Sequence, residues 1–192
     1  MMQYISSSIE KSISLKEQLL SSQRDLATIN SLGELLARLF DTGGKVLLCG
    51  NGGSASDAQH IAAEFVGRFV AQRRALPAVA LTTDTSILTA VSNDFGFETV
   101  FERQVEALGS EGDLLIGFST SGNSKNVLKA LEKARAMGMI TVGLLGGSGG
   151  SCLDLCDYAI VVDSPEAARV QEVHILIGHI LCGVTEQLIG RK

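Results

Sequence analysis

The 192-residue chain has little of what marks a nucleic-acid binder, a membrane protein or a secreted one. Its 16 lysines and arginines are outnumbered by 21 acids, giving a formal charge of -5, and no basic block exists beyond Arg68…Arg73-Arg74. That balance argues against a nucleic-acid partner. The opening Met1-Met2-Gln3-Tyr4-Ile5-Ser6 lacks a basic stretch followed by an apolar run, so no signal peptide is expected. The longest apolar stretch, Val173 to Val184, is interrupted by His174 and His179 and falls short of the ~18 residues of a membrane span, so no membrane partner is expected. Cys49, Cys152, Cys156 and Cys182 form no C-x-x-C pair, as expected of reduced cytoplasmic thiols. Charged residues are also scarce, at 19%, while 45% are hydrophobic, enough for a core with apolar surface left to bury between subunits.

Proline is missing from residues 4 to 41, and glycine occurs there only at Gly33. Apolar residues recur at helical spacing in Leu26, Ile29, Leu32, Leu35, Leu36 and Leu39, after a looser run through Ile9, Ile13, Leu15 and Leu19. This predicts two helices broken near Ser21-Ser22-Gln23. They form an N-terminal arm, 1–41, that packs on the domain or on another subunit.

From Gly44 the pattern changes to alternating strands (45–50, 78–82, 113–118, 140–145, 158–162) and helices (54–69, 86–93 with 97–108, 124–137, and about 166–189). Strands as apolar as Leu114-Leu115-Ile116-Gly117-Phe118 suit a parallel sheet covered on both faces. Right-handed crossovers then give an α/β class fold: a single three-layer α/β/α sandwich over 1–192 with a five-stranded parallel sheet. Gly146-Gly147-Ser148-Gly149-Gly150 resembles a phosphate loop in composition, but reads better as a flexible connection and is given no chemistry.

Two junctions stand out. Val46-Leu47-Leu48-Cys49 runs into Gly50-Asn51-Gly52-Gly53-Ser54, and Leu114–Phe118 runs into Ser119-Thr120-Ser121-Gly122-Asn123-Ser124. Each points backbone N–H groups and a helix N-terminus at whatever lies above the strand tip, which suits an anion. The second loop adds four hydroxyls and no charge. A phosphorylated small molecule held between two strand ends is the expectation.

All three histidines lie on two helices. His60 and Glu64, four apart, share a face that runs back to Asp57 and forward to Arg68. Alone, H-x-x-x-E fits a structural pair as well as a site. On the last helix Gln171 and His179 are eight apart, about 80° around the axis, and His174 lies between them. His174 reads as a core or interface histidine, whereas His179, in so apolar a run, needs a partner or a task. If the helices converge, His60, Glu64, Gln171 and His179 could hold Zn2+ or a similar ion. Glu64 with His179 could equally work as a metal-free acid/base pair; spacing does not choose. Either arrangement beside a phosphate cradle suits proton shuttling next to a carbonyl, as in aldose–ketose isomerisation through an enediol. Asn93-Asp94 closes a short helix and fits either a plain turn or contacts to sugar hydroxyls.

These residues resemble the bacterial phosphoheptose isomerase family of the sugar-isomerase (SIS) superfamily, whose fold is flavodoxin-like. The match spans nearly the whole chain: Cys49–Ser54, Asp57-Ala58-Gln59-His60 through Glu64, Gly67-Arg68, Ser92–Gly96, Ser119–Ser124, and Arg169–His174 through His179. The resemblance implies that Ser119, Thr120, Ser121 and Ser124 hold phosphate. It implies that Asn51, Gly52, Gly53, Asn93 and Asp94 contact the sugar, with Arg68 nearby. It also implies Glu64 and His179 as the acid/base pair, and zinc on His60, Glu64, Gln171 and His179. The implied substrate is a phosphorylated seven-carbon sugar, sedoheptulose 7-phosphate. It is turned into D-glycero-D-manno-heptose 7-phosphate for lipopolysaccharide and other surface glycans by a cytoplasmic homotetramer. Ala168 stands where some members carry an acid. Two alternatives remain: an isomerase or sensor for another phosphosugar, and a non-enzymatic SIS protein resembling a replication-initiation regulator. The latter branch lacks an acid at the position of Glu64 and departs from Thr120-Ser121-Gly122.

Overall fold

A computed structural model describes residues 1–189. The two N-terminal helices are α1 (Met2–Ser21) and α2 (Gln23–Asp41). They break at Ser22, whose backbone leaves the helical region (φ -81°, ψ 95°) and whose hydroxyl accepts from Asp25 N at 3.3 Å. A serine N-cap followed by an acid in the first turn is a strong helix start, so the break lies where the sequence placed it.

The remaining elements alternate: β1 (Val46–Cys49), α3 (Gly53–Val66), β2 (Ala78–Ala80), α4 (Thr85–Phe95), α5 (Glu102–Leu108), β3 (Leu114–Ser119), α6 (Lys125–Ala136), β4 (Ile140–Gly146), β5 (Tyr158–Val162) and α7 (Ala167–Ile189). Short 3-10 turns lie at Phe97–Thr99 and Gly150–Leu155. The five strands are all parallel in the order β2-β1-β3-β4-β5, so the expected sheet is present. Such a sheet changes direction between β1 and β3, and ligands bind above the strand ends at that point. Cys49 pairs with Gly117 across it, setting Gly50-Asn51 and Phe118-Ser119 side by side.

Alternate strand residues face opposite ways. Val46, Leu48, Leu114, Ile116, Phe118, Val142 and Leu144 meet α1, α2, α3 and α7 on one face. Leu47, Cys49, Leu115 and Leu145 meet α5 and α6 on the other. The predicted arm divides in the structure. Helix α2 is a full member of the first layer, with Ile29, Leu32, Leu36 and Phe40 buried, and packs mainly on α7. Helix α1 buries only Leu15 and Leu19 and leaves Met2, Tyr4, Ile5, Ile9, Ile13 and Leu20 exposed. It is held to the domain by Arg169 Nη1, which donates to Ser8 O at 2.8 Å, and by the Lys11–Glu166 ion pair.

Taken whole, α7 is long and apolar enough to cross a membrane by length and composition. One face of it, Val170, Val173, Ile177, Leu181 and Cys182, packs into the first-face core.

Candidate active site

The second loop is interlocked by its own hydrogen bonds. Ser119 Oγ donates to Ser124 Oγ at 3.0 Å, and Ser121 Oγ accepts from Asn123 N at 3.1 Å. Ser119 is buried, Thr120 and Ser124 are half-buried and Ser121 is exposed, so the loop presents a graded set of hydroxyls. Ser124 caps α6, placing that helix's free N–H groups at the same spot.

Two braces, neither anticipated, hold the loop. Asn51 and Asn126 exchange reciprocal amide hydrogen bonds, both 2.8 Å, tying the tip of β1 to the first turn of α6. Asn123 Oδ1 accepts from Ser151 N and Ser151 Oγ, both at 3.0 Å. The Gly146–Gly150 segment, read as a plain connection, is the wall behind the loop. At Gly122 (φ 67°) a Cβ would stand 2.0 Å from Gly149 O, so only glycine permits this contact. The sequence signal was present in the glycine run; what it lacked was the neighbour.

The helices carrying the three histidines do converge. Gly178 on α7 faces Ile61 on α3 so closely that a Cβ would lie 2.6 Å from Ile61 Cδ1. This close crossing brings the neighbouring residues together. His60 Nε2 lies 2.9 Å from His179 Nε2 and 3.3 Å from Glu64 Oε1. The three ligand atoms all lie within 4.8 Å of one another. Neighbouring ligands of a tetrahedral zinc, with bonds of about 2.0 Å, stand about 3.3 Å apart. Two imidazole nitrogens and a carboxylate oxygen within 4.8 Å of one another, with separations of 2.9 and 3.3 Å at His60, are a donor set of the kind the ion takes.

Gln171 lies at the near end of α7, its amide packed over Gly53, where a Cβ would touch Oε1 at 2.6 Å. It thus joins the first loop to the last helix. One turn before His60, Asp57 keeps Oδ2 buried with no hydrogen-bond partner among the described residues. Burial raises its carboxyl to about 6, and His60 pulls the other way.

The other expected residues divide. His174 is wholly buried. Its Nε2 donates to Leu145 O at 3.1 Å, and Nδ1 has no partner among the described residues, as suits a core histidine. Burial lowers its pKa to about 4, against the raising effect of the Leu145 carbonyl. Arg68 is exposed just beyond α3 and reaches only as far as Val70 O (3.4 Å). Asn93 and Asp94 are exposed within α4 and bond to each other at 2.8 Å. Among the described residues no hydrogen bond joins them to the cluster or to the serine loop. Hydrogen bonds between Asn51 and Asn126 join the two loops, and the helix crossing assembles the three-residue cluster; neither set of contacts includes Arg68, Asn93 or Asp94.

Sequence reading also passed over Phe69, Arg73 and Glu186. The Phe69 ring stacks on His179, with centroids 5.5 Å apart and planes at 20°. Glu186 accepts from the backbone N–H groups of Phe69 (2.8 Å), Val70 (2.9 Å) and Ala71 (2.9 Å), and Arg73 Nε lies 3.0 Å from it. Burial by itself would raise this carboxyl, but the three N–H donors and Arg73 outweigh it and hold it below its usual range. Its signal in the sequence was an acid in an otherwise apolar helix.

Comparison with known proteins bears on the same residues. The SIS domain family matches residues 9–146. The chain is 53% identical to the phosphoheptose isomerase of Aneurinibacillus thermoaerophilus, over 98% of this chain and 96% of the relative. To that of Clostridium acetobutylicum it is 50% identical, over 100% of the chain and 98% of the relative. The solved phosphoheptose isomerase of Francisella tularensis superposes with a TM-score of 0.92 at 39% identity, covering 97% of this chain and 98% of the other. That of Neisseria gonorrhoeae gives 0.89 at 42%, with the same coverage. With Glu64 inside the histidine cluster and relatives this similar along its full length, the chain belongs to the phosphoheptose isomerases of the SIS domain family.

Proposed function

We propose that the protein converts sedoheptulose 7-phosphate to D-glycero-D-manno-heptose 7-phosphate, an aldose–ketose isomerisation through an enediol. The observation that carries this reading is the convergence of His60, Glu64 and His179 on a helix crossing, in a chain that also holds a separate, uncharged hydroxyl loop at a strand tip. The substrate has its reacting carbons at one end and its phosphate at the other. The fold offers one feature for each.

In this reading Ser119, Thr120, Ser121 and Ser124, with the N-terminus of α6, take the phosphate. Asn51, Gly52 and Gly53 lie under the sugar, joined by Asn93, Asp94 and Arg68. The Glu64 carboxylate removes a proton from C1 of the ketose, the carboxyl exchanges it with solvent, and a proton is then delivered to C2. His179 moves the second proton from the C1 hydroxyl to the C2 oxygen, so the substrate gains and loses nothing overall. His60, Glu64, Gln171 and His179 would hold zinc, which when bound polarises the carbonyl and eases loss of the neighbouring proton. The protein works as a cytoplasmic homotetramer making heptose for lipopolysaccharide or other surface glycans. The outer stripe of α1, Ile5, Ile9 and Ile13, is apolar surface for such an assembly to cover, and the four free cysteines fit a reducing compartment.

The test is NMR of the purified protein with sedoheptulose 7-phosphate in D2O, with the protein metal-free and then zinc-loaded. Formation of the aldose with deuterium at C2 is expected, and only with zinc. Conversion at equal rates in both samples would remove the metal from the reading. Binding without conversion in either would overturn the isomerase.

A further inference from the structure

We propose that Glu186 is a positioning residue for this reaction, acting on the His179 imidazole through the 69–71 segment and the ring of Phe69. The inference rests on His179 belonging to the reacting cluster, and goes beyond it.

Residues 67–77 follow α3 as irregular chain, with no regular ladder to fix their course. Three consecutive backbone N–H groups there, those of Phe69, Val70 and Ala71, converge on the Glu186 carboxylate at 2.8–2.9 Å. Such a run of N–H groups forms a concave anion cradle, here filled by a side chain of the same protein. Arg73 closes it from the other side. Its Nε lies 3.0 Å from Glu186, with side-chain exposures of 5% and 4%. Its guanidinium also donates to Glu64 O (2.7 Å), Phe65 O (2.8 Å) and Arg74 O (2.9 Å), the first two being carbonyls of the last turn of α3. One buried ion pair therefore locks the exit of α3 to α7.

What the locked segment carries is Phe69. Its ring stacks against His179 and lies beside Gly183. His179 and Glu186 are seven residues apart on α7, only about 20° around the axis. A single helix face thus holds both the imidazole and the carboxylate that orders its cover. The ring occupies one side of the imidazole and leaves Nε2 facing His60 and Glu64. Among the described residues, Arg73 is the charged side chain paired with Glu186. A solely structural buried ion pair would not need to be joined to the cluster by a stacked ring.

The test uses the full-length protein and four variants: Glu186→Gln, Phe69→Leu, the double variant, and Phe69→Tyr. Removing groups that orient a metal ligand typically costs 10- to 100-fold in metal affinity or activity. Glu186→Gln and Phe69→Leu are each expected to lower kcat about tenfold while KM stays within about twofold, since the phosphate loop is untouched. Each is also expected to weaken zinc binding about tenfold, read by competition with a chromophoric chelator without turnover. The double variant should fall no further than the worse single one, because both act through one ring. Phe69→Tyr should restore both readouts. Loss of thermal stability in Glu186→Gln with unchanged kcat and zinc affinity, or additive losses in the double variant, would overturn the proposal. Should Glu186→Gln fail to fold, Phe69→Leu decides: unchanged kcat and zinc affinity overturn it. His179→Asn is measured alongside. Full turnover there would sink the reading of the site itself, whereas an inactive His179→Asn beside a fully active Phe69→Leu would sink only the positioning.

Discussion

The serine loop and the histidine cluster do their work by opposite routes. The loop is six consecutive residues whose hydroxyls bond to one another and to nearby backbone, so most of its shape is local. The cluster is assembled from two helices whose histidines lie 119 residues apart, and it exists only because α3 and α7 cross closely. Binding that must hold a phosphate throughout a reaction tolerates a preformed local cradle. Proton transfer requires groups of different kind within hydrogen-bond reach, and a single short segment rarely supplies them. Damage to the cluster should therefore appear in kcat, and damage to the loop in KM.

The sharpest strike at the cluster is Glu64→Gln, which keeps size and removes the base. A fall in kcat of about 10³-fold or more is expected, with KM changed only a few-fold. Steady-state kinetics showing full activity would take Glu64 out of the chemistry.

His174 and His179 sharpen the contrast, since they share a helix and differ in surroundings. His174 is neutral in the fold, with a pKa lowered from 6.5 to about 4. The unfolded chain therefore binds a proton there before the folded one does, and stability falls as pH drops from about 6.5 towards 4. The loss approaches about 3 kcal/mol at the low end. Urea unfolding of His174→Gln against pH should show a flatter profile across that window, with activity at neutral pH retained. A parallel profile would mean that other groups govern acid stability.

On the loop side, Ser121→Ala removes an exposed hydroxyl that would meet phosphate. KM should rise about tenfold or more, as for a hydrogen bond to a charged group, with kcat nearly unchanged. A fall in kcat alone would assign the loop another task.

The smallest effect expected on turnover is at the crossing. Gly178→Ala inserts a methyl against Ile61 and should cost about 1–3 kcal/mol of stability as the helices shift apart. Thermal unfolding measures the cost. If kcat also falls while KM holds, the close approach serves the cluster rather than only the core.

Much of this was legible in order along the chain. The five strands, the break at Ser22 and the hydroxyl loop announce themselves through apolar runs, capping residues and local turns. The braces did not. Asn126 and Ser151 carry no pattern of their own, and each matters only because a distant partner, Asn51 or Asn123, ends up beside it. Arg68, Asn93 and Asp94 show the reverse: read as neighbours of the sugar, they make no hydrogen bond to the cluster among the described residues. Within the N-terminal arm, α2 packs its apolar face into the core while α1 leaves most of its apolar residues exposed.

Periodicity and end signals are properties of neighbouring residues, so the sequence alone determined the elements, the parallel sandwich and the chemistry available on each helix face. Which of two histidines on α7 meets a carboxylate, and what covers it, depended on a helix crossing, on a ring from an irregular segment and on one buried ion pair. Those contacts join residues far apart in the chain, and only folding brings them within reach.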